Sequence, residues 1–161
     1  MKKPFAVLLF GPTGVGKTDL LVRLFSGRGE VVSADSMQVY RGLDIGTAKP
    51  TPDLRRAIPH HLVDIRDPRD QYTVGDFVSS AESLIRAIGD GGKVPVVSGG
   101  TAYYFRNLIY GLPAAPPADP VVRSELDAEC SRAGTEEMHR RLQGADPEAA
   151  ERISPRDRYR I

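Results

Sequence analysis

Residues 5–18 read FAVLLFGPTGVGKT, and this stretch decides the fold. Phe5–Phe10 is an unbroken apolar run that stops at Gly11-Pro12. Such a run suits a parallel strand buried on both faces, because a half-exposed strand would alternate apolar and polar residues. Gly11 to Thr18 then fits the pattern G-x-x-x-x-G-K-[ST] in full. The glycines let consecutive backbone N–H groups turn into one concavity. A helix starting near Lys17 adds its positive end. Lys17 supplies a mobile positive charge for a phosphate oxygen, and the Thr18 hydroxyl is suited to Mg²⁺. The loop therefore predicts a polyphosphate or diphosphate ligand. It does not by itself specify a nucleoside triphosphate or a kinase.

Working outward, Thr18–Ser26 reads as a helix with Leu20, Leu21, Leu24 and Phe25 on one side and Gly27 as its stop. Glu30–Ala34 is a second strand ending at Asp35. Thr47–Pro59 holds three prolines and reads as loop with a short helical turn, and Leu62–Ile65 is a third short strand. Thr73–Ile88 is a long helix closed by Gly89, in which Thr73 and Asp76 have capping-box spacing. Val94–Ser98 is a strand entered through Pro95, and Thr101–Tyr110 a helix closed by Gly111. Alternating strands and helices predict a doubly wound parallel sheet with its ligand site at the carboxyl ends of the strands. Leu112–Pro120, with four prolines, reads as a linker. Only helices follow. The first is capped by Asp119-Pro120 and carries a stripe of Val122, Leu126, Cys130 and Ala133; the second spans Thr135–Leu142; the third runs from Asp146-Pro147 to Ile153.

Asp35 falls on the same rim as the phosphate loop. Its carboxylate fits three roles: general base toward a substrate N–H or O–H, support for Mg²⁺, or helix cap. Ser98-Gly99-Gly100-Thr101 is either a ligand contact or a tight turn. The strand before it lacks a terminal aspartate, which counts against an ordinary ATPase. His60-His61 is a conceivable metal pair, but adjacent strand residues face opposite ways, so one packed and one exposed histidine is the simpler expectation. Tyr103, Tyr104, Phe105 and Tyr110 belong to the core with polar tips or offer a stacking surface. The last ten residues hold Arg152, Arg156, Arg158 and Arg160, either solvated or facing phosphates.

Composition narrows the class. There are 161 residues, 22 Lys+Arg against 21 Asp+Glu, and 40% apolar residues, so net charge argues for neither a nucleic-acid nor a membrane partner. A single cysteine, Cys130, excludes an internal disulfide and a Cys-rich zinc site. No apolar run approaches the roughly 20 residues that span a bilayer. Phe5–Phe10 is shorter than a signal-peptide core of about 7–15 residues, so a cytoplasmic protein is expected.

Several segments together resemble the tRNA dimethylallyltransferase (tRNA isopentenyltransferase) family: GPTGVGKT at 11–18, SADSMQVYRGLDIGTAKP at 33–50, PHHLVDIR at 59–66, YTVGDFV at 72–78 and VVSGGTAYYF at 96–105. DPVVR at 119–123 and DRYRI at 157–161 add to it, so the likeness runs essentially from end to end. The resemblance implies a P-loop NTPase-like core over 1–112 and, over 113–161, the start of a helical insertion that grips the anticodon stem-loop. It implies transfer of a dimethylallyl group from dimethylallyl diphosphate to N6 of the adenosine 3′-adjacent to the anticodon, with Mg²⁺ as cofactor. Gly11, Thr13, Gly14, Val15, Gly16, Lys17 and Thr18 would then hold the diphosphate, with Thr18 on the metal and Asp35 and Lys17 catalytic. Asp35, Ser36, Met37, Gln38, Thr101, Arg123, Tyr159 and Arg160 would contact tRNA. A monomer with no membrane partner is expected. The family is longer than 161 residues, so the chain alone is expected to be marginally stable and weakly active or inactive. Competing readings are a small-molecule P-loop kinase, for which Arg140-Arg141 is the candidate lid pair, a prenyltransferase acting on free AMP or ADP, and an inactive RNA-binding fragment.

Overall fold

The computed structural model describes residues 5–113 and 119–161; most of the expected linker over Leu112–Pro120 lies outside the described residues. The chain divides into two compact units, Met1–Pro113 and Ala114–Ile161.

The first unit is built on a four-stranded parallel sheet in the order β1-β4-β2-β3. The strands are β1 (Val7–Phe10), β2 (Gly29–Ser33), β3 (His60–His61) and β4 (Val94–Gly99). Four helices accompany them: α1 (Lys17–Phe25), α2 (Pro52–Ala57), α3 (Val74–Asp90) and α4 (Ala102–Tyr110). Side chains on a strand alternate between faces. Val31 and Val96 accordingly join Leu21 and Ile58 in one core, while Val32 and Val97 join Phe77, Ala81, Ile85, Tyr104 and Phe105 in the other. The two central strands are apolar at their middles, Val31-Val32 and Val96-Val97, because both faces are covered there. Phe77 is fully buried and stacks on Tyr104 with ring centroids 4.2 Å apart. Burial, reinforced by nearby phenols and carboxylates, pushes the Tyr104 hydroxyl up to about 12.

Four expectations need correction. First, β1 is an edge strand, and among the described residues no strand pairs with its outer side, so Leu8 and Phe10 are exposed rather than buried. Its apolar run matches a covered strand, but only one face and one edge are covered here. Second, the third strand is His60–His61, two residues earlier than Leu62–Ile65, because Leu62 and Asp64 adopt φ of 61° and 59°, which breaks extended geometry. Third, α3 runs through Gly89 and stops at Gly91; its start is as expected, with Thr73 and Asp76 forming a reciprocal capping box. Fourth, neither of His60 and His61 is fully packed or exposed; both are half-buried.

The second unit consists of α5 (Pro120–Ala133), α6 (Thr135–Ala145) and α7 (Pro147–Arg152). Asp119 caps α5 by accepting from the N–H groups of Val121 and Val122, and Asp146 caps α7 through Ala149 N–H. Cys130, Met138 and Ala150 are buried, and His139 Nε2 lies 2.8 Å from the Ile153 carbonyl. The stripe on α5 is only partly used: Cys130 is buried, whereas Val122 and Leu126 are largely exposed.

Phe77 carries the larger core, so Phe77→Ala is expected to cost about 3–5 kcal/mol in urea denaturation. A loss below about 1 kcal/mol would contradict the stacked core described here.

Candidate functional site

The phosphate loop joins β1 to α1. Gly14 and Gly16 both have φ of 86°, and a Cβ at either would meet nothing within 4 Å. Their glycine requirement is therefore conformational, not steric. Gly16 caps α1 without a side-chain hydrogen bond, so no side chain of the cap covers the N–H groups of the first turn. Lys17 folds back over the loop, its ammonium donating to the carbonyls of Gly11 (2.7 Å) and Pro12 (2.6 Å).

Gly99, at the end of β4, joins this loop to the Asp35 rim. Its carbonyl accepts from Gly11 N–H at 3.3 Å. A Cβ at Gly99 would lie 2.1 Å from the Ala34 carbonyl oxygen. Ala34 N–H in turn donates to Ser98 O at 2.8 Å, and Thr101 N–H to Ala34 O at 3.3 Å. The Gly-Gly segment is thus a place of close backbone approach. Thr101 extends the joint: its hydroxyl accepts from Ser36 N–H at 3.2 Å.

Asp35 itself is held by its local turn. Oδ1 accepts from Met37 N–H (2.8 Å) and Gln38 N–H (3.2 Å), which is the capping geometry that the sequence offered as one of three roles. Oδ2 takes part in neither of these bonds. Gln38 is fixed at both ends of its amide, accepting from Ser33 Oγ at 3.0 Å and donating to the carbonyls of Thr47 and Ala48.

Two cavities flank the loop. One of about 340 Å³ is lined by Pro12, Thr13, Asp35, Ser36, Met37 and Thr101, among others. The other, about 680 Å³, includes Lys17, Thr18, Ser33, Gln38, Lys49 and His60 in its wall. The loop contributes to both, but Asp35 and the Lys17–Thr18 pair line different cavities. Gln38 touches both systems, through its backbone to Asp35 and through its side chain to the larger cavity.

In the second unit, Arg123, Tyr159 and Arg160 come together along a cavity of about 620 Å³. The Arg123 guanidinium lies 5.3 Å from the centre of the Tyr159 ring, and Tyr159 is 78% exposed. Arg158 donates to Asp127 O and Ser131 Oγ, and Arg160 pairs with Asp157. Arg140 and Arg141 are engaged with Glu137 and Glu129.

No group of three or more His, Cys, Asp or Glu suited to a metal occurs among the described residues. The two histidines have other partners: His60 Nδ1 lies 2.8 Å from Ile58 O, and His61 Nε2 lies 2.7 Å from Glu30. Burial holds the His60 imidazole below its ordinary value, and the nearby Arg55 and His61 add to this against the Ile58 hydrogen bond. Among the described residues, no helix is long and apolar enough to cross a membrane.

One group escaped the sequence reading. Lys49, with a side chain only 6% exposed, pairs with Asp44 (2.8 Å) and Asp64 (2.6 Å), and Arg55 pairs with Asp64 at 2.7 Å. The signal was present in the segment 44–50, DIGTAKP, which phosphate binding does not require. Nothing in the sequence pairs Lys49 with a carboxylate beyond the prolines of the following loop.

The first unit is therefore a phosphate-loop α/β protein with a carboxylate fixed on the rim beside the loop. Comparison with known proteins makes that class specific. The family model for IPP transferase matches residues 38–161, and that for isopentenyl transferase matches residues 5–60. The chain belongs to the IPP transferase family. It is 51% identical over 154 residues to a tRNA dimethylallyltransferase of Halorhodospira halophila, covering 95% of this chain and 50% of that protein. It is 48% identical over 160 residues to the one of Nitrosococcus oceani, covering 99% and 51%. The crystal structure of a full-length tRNA isopentenylpyrophosphate transferase from Bacillus halodurans is similar with a TM-score of 0.64 and 42% identity, over 98% of this chain and 53% of that one. A eukaryotic dimethylallyltransferase acting on tRNA gives a TM-score of 0.79 at 30% identity, over 96% and 39%. The chain spans about half the length of the curated relatives it matches.

Two outcomes follow from this geometry. Gly99→Ala forces β4 away from Ala34, and is expected to cost about 3 kcal/mol or more in urea denaturation. Asp64 is the second case. Burial alone would raise its carboxyl, but hydrogen bonds and charge from Lys49 and Arg55 outweigh that and hold it below the ordinary 3.8. Its stabilisation is therefore complete above the unfolded value and is lost as pH falls through the lower folded value. Asp64→Asn is expected to lower the melting midpoint at pH 7 and to flatten its fall on the acid side of 3.8, measured by thermal denaturation across pH.

Proposed function

We propose that this chain carries the donor site and the base of a tRNA dimethylallyltransferase, which moves a dimethylallyl group from dimethylallyl diphosphate to N6 of the adenosine 3′-adjacent to the anticodon. One observation carries the reading. The Gly99 joint ties the phosphate loop to a rim whose aspartate has one oxygen engaged by backbone N–H groups. A loop that grips a diphosphate leaving group beside a carboxylate that accepts a proton is what N-alkylation by an allylic diphosphate needs.

The exocyclic amine of adenine is a weak nucleophile, because its lone pair is delocalised into the ring. It loses a proton as the C–N bond forms and the allylic C–O bond breaks. Asp35 Oδ2 accepts that proton, while Oδ1 stays on its two N–H donors and fixes the direction of the carboxylate. Gly11, Thr13, Gly14, Val15, Gly16, Lys17 and Thr18 take the diphosphate, whose charge grows as the bond breaks. Lys17 exchanges the carbonyls of Gly11 and Pro12 for phosphate oxygens.

The residues fit Mg²⁺. That ion keeps several waters and needs few protein ligands beside substrate phosphates, which agrees with a lone Thr18 hydroxyl and no carboxylate cluster among the described residues. When bound, Mg²⁺ neutralises charge on the leaving diphosphate.

Ser36, Met37 and Thr101 line the acceptor side with Asp35, Gln38 borders it through its backbone N–H on Asp35, and the thioether of Met37 is half-exposed for packing on a base. A target base must leave its stack, at a cost of a few kcal/mol that a single-stranded loop keeps small. Residues 113–161 form the start of the helical insertion in this reading. There, Tyr159 offers a stacking face, and Arg123 and Arg160 offer charge to RNA phosphates. The enzyme would work as a cytoplasmic monomer.

The test is incubation with Mg²⁺, labelled dimethylallyl diphosphate and an anticodon stem-loop. Label is expected in RNA, and Asp35→Asn is expected to slow single-turnover transfer by about 10²-fold or more while still binding diphosphate. Lys17→Ala is expected to lose diphosphate affinity as well. Transfer by Asp35→Asn at the wild-type rate would contradict the reading.

A further inference from the structure

Lys49 sits in the wall of the larger cavity beside Lys17 and Thr18, where a second phosphate-binding lysine would be expected. Its hydrogen bonds give it a different role. An ammonium has three N–H donors. Those of Lys49 reach Tyr40 O at 2.6 Å, Asp44 Oδ1 at 2.8 Å and Asp64 Oδ1 at 2.6 Å. None is left for a phosphate.

The three acceptors come from distant points of one excursion between β2 and α3. Asp64 is anchored in turn. Its Oδ2 accepts from Arg55 at 2.7 Å, its N–H donates to Gln38 O at 3.0 Å, and its carbonyl accepts from Arg41 Nε at 3.0 Å. Two residues of this network have non-glycine backbones at positive φ: Ala48 at 50° and Asp64 at 59°. Such conformations persist only where surrounding bonds hold them. The residue before Lys49 is that Ala48, whose carbonyl accepts from the Gln38 side chain at 3.1 Å. Gln38 N–H then donates to Asp35 Oδ1. A short chain of bonds therefore runs from the Lys49–Asp64 ion pair to the carboxylate on the rim.

We propose that Lys49 and Asp64 are positioning residues: by locking Ala48 and Gln38, they hold the two backbone N–H donors on Asp35 Oδ1 and so keep Oδ2 as the reactive oxygen. This rests on the transferase reading for its consequence in catalysis, but the positioning itself does not. Replacing Lys49 frees the 44–49 segment, and Gln38 loses its fixed acceptors. The Asp35 turn then samples other geometries while the phosphate loop, anchored through Gly99, is unchanged.

The experiment uses Lys49→Met, Lys49→Arg and Asp64→Asn. Amide hydrogen exchange reports on Met37 and Gln38, with Val32 and Phe77 as core references; calorimetry reports inorganic diphosphate affinity with Mg²⁺; single-turnover assays report transfer. In Lys49→Met and Asp64→Asn, exchange at Met37 and Gln38 is expected to rise about tenfold or more beyond any rise shared with the core references, which reports the loss of global stability. Diphosphate affinity is expected to stay within about twofold and the transfer rate to fall, with partial rescue in Lys49→Arg. Wild-type exchange at Met37 and Gln38 in Asp64→Asn would overturn the proposal. So would a tenfold loss of diphosphate affinity in Lys49→Met, which would make Lys49 a ligand contact. If core and rim amides lose protection by the same factor in all three variants, the network is merely structural and the proposal is likewise overturned. An absence of transfer by the wild-type chain would count against the transferase reading alone, because the exchange data still decide the positioning.

Discussion

The contact between Gly99 and Ala34 is the constraint on which the site depends. A side chain at 99 would sit inside the Ala34 carbonyl, so only glycine allows β4 to end there. The same residue accepts from Gly11 at the mouth of the phosphate loop. Two sequence-distant pieces, the loop after β1 and the rim after β2, are thereby referenced to one strand end. In the proposed reaction the carboxylate and the phosphate cradle act on two ends of one substrate pair, and a shared anchor suits this because misplacement by about 1 Å can cost two orders of magnitude in rate. The sheet order serves the same end, since β4 lies between β1 and β2.

Around that anchor, order is distributed unevenly and to a purpose. The Asp35 turn is tied by four backbone or side-chain bonds, through Met37, Gln38, Ser36–Thr101 and Gln38–Ala48. The Lys17 ammonium, by contrast, rests on two loop carbonyls that a phosphate can replace. A fixed carboxylate beside a movable charge suits the proposed reaction, in which the proton acceptor must be aimed and the leaving group must be followed. The near-zero net charge fits a protein whose affinity for an anion is local. Several arginines of the second unit are neutralised by neighbouring carboxylates, and Arg123 lies against an exposed tyrosine instead.

The sequence made the first unit legible because its signals are local. The phosphate loop, the Thr73–Asp76 capping box and the apolar centres of β2 and β4 each depend on residues a few positions apart. It misread β1, because an apolar run looks the same at an edge as in the middle of a sheet. It displaced β3, because the backbone turns to positive φ at Leu62 and Asp64, which the apolar spacing of Leu62–Ile65 does not announce. The Lys49–Asp64 pair was invisible for a related reason: both side chains look like surface charges until the chain between them closes. The Gly99-Gly100 pair was recognised as a turn or a contact, but its partner, a carbonyl 65 residues earlier, was not readable. The α5 stripe shows the converse, apolar spacing that the described residues leave largely exposed.

The central claim is that the phosphate loop serves a diphosphate leaving group rather than a nucleoside triphosphate. Competition calorimetry in the presence of Mg²⁺ tests it most directly, with dimethylallyl diphosphate titrated into the chain with and without excess ATP. The account predicts that dimethylallyl diphosphate binds with an affinity that Lys17→Ala abolishes and that ATP leaves unchanged. Displacement of dimethylallyl diphosphate by ATP at equal concentration, with release of inorganic phosphate, would contradict it.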